Sequence, residues 1–337
     1  MRYPEFLKPN DSIGFIAPSF GCNNEPYKSC FNSSIDYFTK KSYKCVQGPN
    51  CFADNGFGKS NTPEACAAEI NEFFTDDSLS AIISCGGGET MCEDLTFVDF
   101  DKISKAKPKW YMGYSDNTNL TFVLPTLCDS AAIYGPCAPA FGQGVLHPAV
   151  DDALEILSGN KLTVTNYDKW EKESLKTPEN PFVSYNVTEP FNIKYGPYTS
   201  ENGTQFEGRL IGGCLDVLVC LCGTKFDNVK AFNEKYADDG IVWFLESCEL
   251  NPFAARRALW QLKNAGWFDS AKGFLIGRAG TYTNADLGFA ESLEEFGVPV
   301  LLDLDIGHLP PMMPLISGAY AKVFAKGNTF SLRHELC

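Results

Sequence analysis

Apolar residues along this chain follow two rhythms. Short, nearly uninterrupted apolar runs occur at Ser12–Ala17 (SIGFIA), Ser80–Cys85 (SAIISC), Ala131–Tyr134, Gly240–Glu246 (GIVWFLE) and Val298–Asp305 (VPVLLDLD). They have the length and texture of strands buried on both faces of a parallel sheet. Tyr43–Gly48, Trp110–Gly113 and Lys272–Gly280 read as further strands, the last ending in a Gly-rich turn. Between them, Tyr27–Lys41, Pro63–Phe74 and Pro252–Gly266 space their apolar residues as helices do, with Pro at two of the starts and Gly266 as a C-cap. The tail, Ala319–Leu332, reads as one or two edge strands.

Strands alternating with helices predict an α/β protein, with a doubly wound parallel-sheet domain at the N-terminus. The texture changes between 161 and 205, which is polar and rich in Pro and Asn. The expected organisation is therefore 1–160 as the N-terminal α/β domain, 161–205 as a linker and lid, and 206–337 as a second, mostly β, α/β domain. Trp170, isolated in the lid, is either a ligand-stacking residue or a side chain packed on the domain surface.

Composition narrows the partners. The formal net charge is −14 and the pI about 4.7, which disfavours nucleic acid or an anionic membrane as the main target. No signal-peptide layout or run of ~20 apolar residues occurs, so a cytosolic protein without a membrane partner is expected. The 14 cysteines are scattered through apolar runs, and there are only 3 histidines. Such thiols behave as small buried hydrophobes, and neither a metal nor an organic cofactor is expected.

The stretch Lys107–Leu120 (KPKWYMGYSDNTNL) carries the chemistry. A short apolar strand meets Gly113 and is followed by Tyr114, Ser115 and Asp116, the layout of a nucleophile elbow that holds one hydroxyl at a helix start. The competing reading is a plain helix cap, since the usual elbow has Gly where this chain has Asn117. Glu246 and His308 also end buried strands. A serine hydroxyl attacks well only when a neutral imidazole takes its proton, and that imidazole needs an acceptor. The order Ser115, Glu246, His308 matches one known solution. Gly86-Gly87-Gly88 would let backbone N–H groups approach an oxyanion. Alternatives stay open: Glu249 or Asp305 as the acid, His147 or His334 as the base, Cys214 as an amidase nucleophile, or a two-domain protein that binds a small ligand without reacting.

Taken together, these motifs resemble the LD-carboxypeptidase family of serine peptidases, which includes murein tetrapeptide carboxypeptidases and microcin C self-immunity peptidases. SIGFIAPS is similar to the family's opening strand, AIISCGGGET to its oxyanion loop, GYSDNT to its nucleophile motif and YGPCAPAFG to the segment after it. EGRLIGGCLDVL resembles the opening of the second domain, FLES the acid strand and DLDIGHLPPMMPLISG the histidine loop. The resemblance implies Ser115 as nucleophile, Glu246 as orienting acid, His308 as base, and the N–H groups of Gly87 and Asp116 as the oxyanion hole. It also implies a site between the two domains, a homodimer, and a small peptide or peptidyl-nucleotide substrate. The 161–205 segment looks more like the microcin-immunity branch, where a tryptophan stacks on a nucleobase. Two departures concern the substrate. Cys214 stands where the family often has Asn, and SCELNP lacks the basic residue expected four positions after the acid. Arg209 is the candidate for recognising a substrate carboxylate.

Overall fold

In the computed structural model, residues 1–278 and 285–337 are described. The first half lays down β1 (Ser12–Ile16), α1 (Tyr27–Lys40), β2 (Lys44–Gln47), α2 (Pro63–Thr75), β3 (Ala81–Ser84), α3 (Phe100–Lys105) and β4 (Trp110–Gly113). It continues with α4 (Thr118–Thr121), α5 (Val123–Cys128), β5 (Ala132–Tyr134) and α6 (Pro148–Leu157). The helix starts obey local chemistry. Thr62 caps α2 by accepting from Ala65 N–H, ahead of Pro63, whose missing N–H costs nothing in a first turn.

The connecting segment holds β6 (Thr163–Thr165), β7 (Lys169–Glu171), β8 (Val187–Pro190) and β9 (Lys194–Tyr195). Then follow β10 (Thr204–Cys214), α7 (Leu215–Leu221), α8 (Val229–Lys235), β11 (Ile241–Glu246), α9 (Pro252–Asn264), β12 (Ala271–Gly277), α10 (Ala285–Leu293), β13 (Val300–Leu304), β14 (Leu315–Ser317), β15 (Tyr320–Lys326) and β16 (Thr329–Glu335). The turn expected at the end of Lys272–Gly280 lies outside the described residues.

Two main sheets result. The first has the order β14-β5-β4-β3-β1-β2, parallel except for β14 against β5. The second has the order β6-β16-β15-β10-β11-β12-β13-β9, with β10 to β13 parallel and antiparallel strands on both flanks. Every residue of β3, β4 and β11 is buried, as their unbroken apolar sequence demands.

Two expectations need correction. The 161–205 segment is more than a linker: β6 and β9 form the two edges of the second sheet, while β7 and β8 pair separately. Their short, half-exposed strands carry too few apolar residues to stand out. The tail is not at an edge either. β15 pairs with β10 and β16, and β16 pairs with β6.

The halves share their core. One apolar cluster runs from Phe15 and Trp110 to Phe244 and Leu332, and another from Ile70 and Phe122 to Trp243 and Trp267. Cys214 N–H also donates to Thr118 Oγ1 across the boundary, at 3.0 Å. Among the described residues, no helix is long and apolar enough to cross a membrane.

Candidate active site

Parallel sheets present ligands at the carboxyl ends of their strands. Here the loops after β3, β4, β11 and β13 meet where the two sheets face each other. After β4 the backbone turns sharply and places Ser115 at φ 63°, a left-handed value that a residue with a Cβ adopts at a cost and that marks strained functional turns. A short 3₁₀ turn, Ser115–Asn117, then leads into α4, so the expected post-serine helix begins one turn late and is broken before α5.

Asn117 explains how the elbow forms without a second glycine. Its buried Nδ2 donates to Gly86 O (2.8 Å) and Tyr114 O (2.9 Å), and its Oδ1 accepts from Tyr111 Oη. One side chain thus ties the Ser115 turn to the glycine loop. Asp116, also buried, accepts from Ser19 Oγ (2.5 Å) and Met91 N–H (2.9 Å), while Asn119 Nδ2 donates to its Oδ1 (3.0 Å). Burial pushes its carboxyl above the usual range despite these donors. At Gly87 a Cβ would sit 3.1 Å from Ser115 Oγ, so this loop can lie beside the hydroxyl because no side chain intervenes.

Glu246, the last residue of β11, is fully buried. Its Oε2 lies 2.8 Å from His308 Nδ1, so Nδ1 is the donor and, in the neutral imidazole, Nε2 carries the lone pair. Gly307 makes the approach possible. At φ 96° it passes so close that a Cβ would fall 2.5 Å from Glu246 Oε2. Burial lowers the proton affinity of His308, but the Glu246 carboxylate and the neighbouring Cys248 together outweigh it and hold the imidazole above its ordinary range.

Sequence reasoning missed Tyr134. Its hydroxyl donates to Glu246 Oε1 and accepts from Ser115 N–H at 3.3 Å, bridging the acid and the serine backbone. Burial and the neighbouring carboxylate keep the phenol protonated. Its position at the end of β5, level with Gly113 in the neighbouring strand, was the available signal.

Two cavities flank Ser115. One of about 370 Å³ also reaches His308 and is walled by Phe20, Tyr27, Tyr114, Tyr185 and Lys176. The other, about 70 Å³, is bordered by Asp116, Cys214, Asp216 and Glu249.

The residues from 13 to 135 match the LD-carboxypeptidase N-terminal domain, and those from 207 to 323 match the LD-carboxypeptidase C-terminal domain. The chain belongs to the LD-carboxypeptidase family. It is thus a peptidase, and the non-reacting binding protein is set aside. This LD-carboxypeptidase is 27% identical to the microcin C7 self-immunity protein MccF of Escherichia coli, over 98% of this chain and 95% of the relative. It is 24% identical to the probable murein peptide carboxypeptidase of Bacillus subtilis (strain 168), over 94% and 90% respectively. The structure of MccF in complex with aspartyl sulfamoyl adenosine has a TM-score of 0.78 at 25% identity, covering 99% of this chain and 98% of that one. An MccF-like protein from Bacillus anthracis str. Ames has a similar fold, with a TM-score of 0.82 at 21% identity, covering 99% and 100%.

The remaining sequence candidates fall in different places in this LD-carboxypeptidase. Arg209 is turned away from the site: its guanidinium pairs with Asp239, donates to Tyr3 Oη at 3.0 Å and packs over Tyr236. It holds β10 to neighbouring segments and borders neither cavity. Trp170 borders neither cavity, and Arg278 lies 5.2 Å over its ring. The connecting segment lines the large cavity through Lys176 and Tyr185 instead. Cys214 does border the small cavity, but burial, then the charges of Glu246 and Asp216, raise its thiol far above the reactive range. Of the rival acids, Asp305 is taken by Arg278 and by Tyr167 N–H. Of the rival bases, His147 caps α6, and His334 accepts from Ile316 N–H.

Proposed function

We propose that this peptidase is a serine carboxypeptidase acting through Ser115, His308 and Glu246. The observation that carries the reading is the chain of contacts from His308 Nδ1 through Glu246 and Tyr134 to the Ser115 backbone, at the mouth of a cavity large enough for a short peptide. Ser115 Oγ attacks the scissile carbonyl and His308 Nε2 takes its proton. The N–H groups of Gly87 and Asp116 receive the oxyanion. His308 then protonates the leaving amine as the C–N bond breaks, and water, deprotonated by the same imidazole, releases the acyl group.

The leading substrate is the LD-amide of a murein tetrapeptide, cleaved to release D-alanine; the B. subtilis relative supports this class. A second reading is hydrolysis of an aminoacyl-nucleotide antibiotic. It is favoured by the aromatic walls of the large cavity and by the aspartyl sulfamoyl adenosine complex of MccF. With Trp170 placed against Arg278, the stacking faces for a base would be Tyr27, Phe20 or Tyr185.

Mass spectrometry of murein tetrapeptide and of aspartyl sulfamoyl adenosine, each incubated with wild type and with Ser115→Ala, tests both readings. We expect D-alanine release by the wild type, and a loss of at least about a thousandfold in the variant. Activity retained by Ser115→Ala would overturn the mechanism. Cleavage of the nucleotide alone would move the assignment to the second class.

A further inference from the structure

With Arg209 turned away, a charge for the substrate's free carboxylate has to come from elsewhere, and the connecting segment carries one. Lys176 is the only Lys or Arg among the described residues that line the cavity of about 370 Å³, and no Asp or Glu lines it. Aromatic rings make up much of the remaining wall, which screens a charge less than open water does. The ammonium is lightly used by the protein itself. Its Nζ reaches Cys30 Sγ at 3.7 Å, a weak acceptor whose own S–H donates to Pro181 O at 3.0 Å. Among the described residues no carboxylate lies within ion-pair distance of it. Glu171 feels its charge, but that carboxylate accepts from Asn186 N–H. An ammonium has three donors, so at least two remain for a ligand.

The segment that carries Lys176 is fastened in place. Pro181 O takes the Cys30 thiol of α1, Gly144 N–H donates to Phe182 O at 2.8 Å, and Ser184 Oγ donates to Val145 O at 2.6 Å. These ties join it to α1 and to the loop ahead of α6, so Lys176 is part of the wall. The chemistry of the reaction says which part of the substrate meets that wall. His308 has to protonate the leaving amine, and it borders this cavity but not the small one beside Asp116. The leaving group therefore occupies the cavity that holds Lys176. In a carboxypeptidase that group is the last amino acid. Its free carboxylate is the charge that sets it apart from a residue inside a longer peptide.

We propose that Lys176 determines specificity for the leaving group: its ammonium binds the terminal carboxylate and so restricts cleavage to the last amide of the chain. The proposal rests on the serine carboxypeptidase reading. The carboxylate stays ionised throughout the reaction, so the contact holds substrate and transition state alike and acts on KM rather than on kcat.

The test pairs murein tetrapeptide ending in D-alanine with the same peptide ending in D-alanine amide, and runs fluorophosphonate labelling of Ser115 beside them. The wild type should favour the acid by about a hundredfold in kcat/KM, as a hydrogen-bonded ion pair allows. Lys176→Met should bring that ratio to about one, with the loss for the acid appearing in KM. Lys176→Arg keeps the charge and should restore most of the preference. Both rates come from one preparation, so a variant that folds only in part still reports the ratio. A wild-type ratio near or below one, or a ratio that Lys176→Met leaves intact, would overturn the role of Lys176 while leaving the carboxypeptidase standing. A labelled enzyme that cleaves neither peptide would remove the carboxypeptidase and the role of Lys176 with it. An unlabelled Ser115 would remove the nucleophile as well.

Discussion

At the scale of single residues, the site depends on two contacts to one carboxylate. His308 Nδ1 and Tyr134 Oη each engage a different oxygen of Glu246, so this carboxylate holds the imidazole and is itself held to the serine turn. Because Glu246 raises the proton affinity of His308, and only the neutral imidazole accepts a proton, activity should rise with pH along a limb lying above the ordinary imidazole value of about 6.5. Glu246→Gln should move that limb to lower pH while reducing kcat. A pH profile of kcat/KM that does not move would return the role to another carboxylate. Tyr134→Phe removes one hydrogen bond to a charged acceptor and the acceptor for Ser115 N–H. It should lower kcat by about tenfold with little change in KM, matching about 1.5 kcal/mol for such a bond. The strand ends that carry Ser115 and Glu246, and the glycine loop that carries His308, were legible in the sequence, because buried apolar runs that stop at a polar residue are local patterns. Tyr134 was not legible. It looks like one more apolar strand residue until β5 and β11 are brought together across the boundary between the sheets.

At the scale of elements, the parallel strands and the main helices could be read in place because apolar periodicity and caps are local. β6, β9 and the inner position of β15 could not, since they are decided by pairing with strands more than a hundred residues away, as in β16 with β6. The loops repeat this division. The glycine of the histidine loop is visible in sequence, but its reason is a long-range approach to Glu246. Gly307→Ala should therefore fold, with its β strands intact, yet push His308 off Glu246. Its rate of fluorophosphonate labelling should fall by about a hundredfold, and labelling at the wild-type rate would show that the loop yields without cost. Asn117→Ala acts differently. It deletes the side chain that ties the elbow to Gly86 and strands Tyr111 Oη, so it should destabilise the fold by about 2 kcal/mol in urea unfolding, besides slowing turnover.

At the scale of the whole molecule, the active site exists only while the two sheets stay together, and part of what joins them is sensitive to acid. β14 leaves the histidine loop, crosses into the first sheet beside β5, and hands the chain back to β15 in the second. There Ile316 N–H, in β14, donates to His334 Nε2, in β16, at 3.0 Å. Burial lowers the His334 imidazole to about 3, whereas in an unfolded chain it titrates near 6.5, as the reference value of about 6.5 requires. The unfolded state therefore binds more protons between those two values. The stability due to neutral His334 is complete above about 6.5 and falls as pH drops, by about 1.4 kcal/mol per unit, reaching ~2 kcal/mol at pH 5. Once protonated, Nε2 would meet Ile316 as donor against donor. The His308–Glu246 pair has the opposite sign: its raised proton affinity adds stability that is full below about 6.5 and is lost as pH rises through the folded value. Acid therefore strengthens the His308–Glu246 pair while weakening the tie between the sheets that carry it. His334→Gln keeps an acceptor for Ile316 N–H and cannot be protonated. Its melting temperature should fall several degrees less than that of the wild type between pH 7 and pH 5. If both proteins lose the same amount over that range, the acid weakness lies elsewhere and His334 is only a packed side chain.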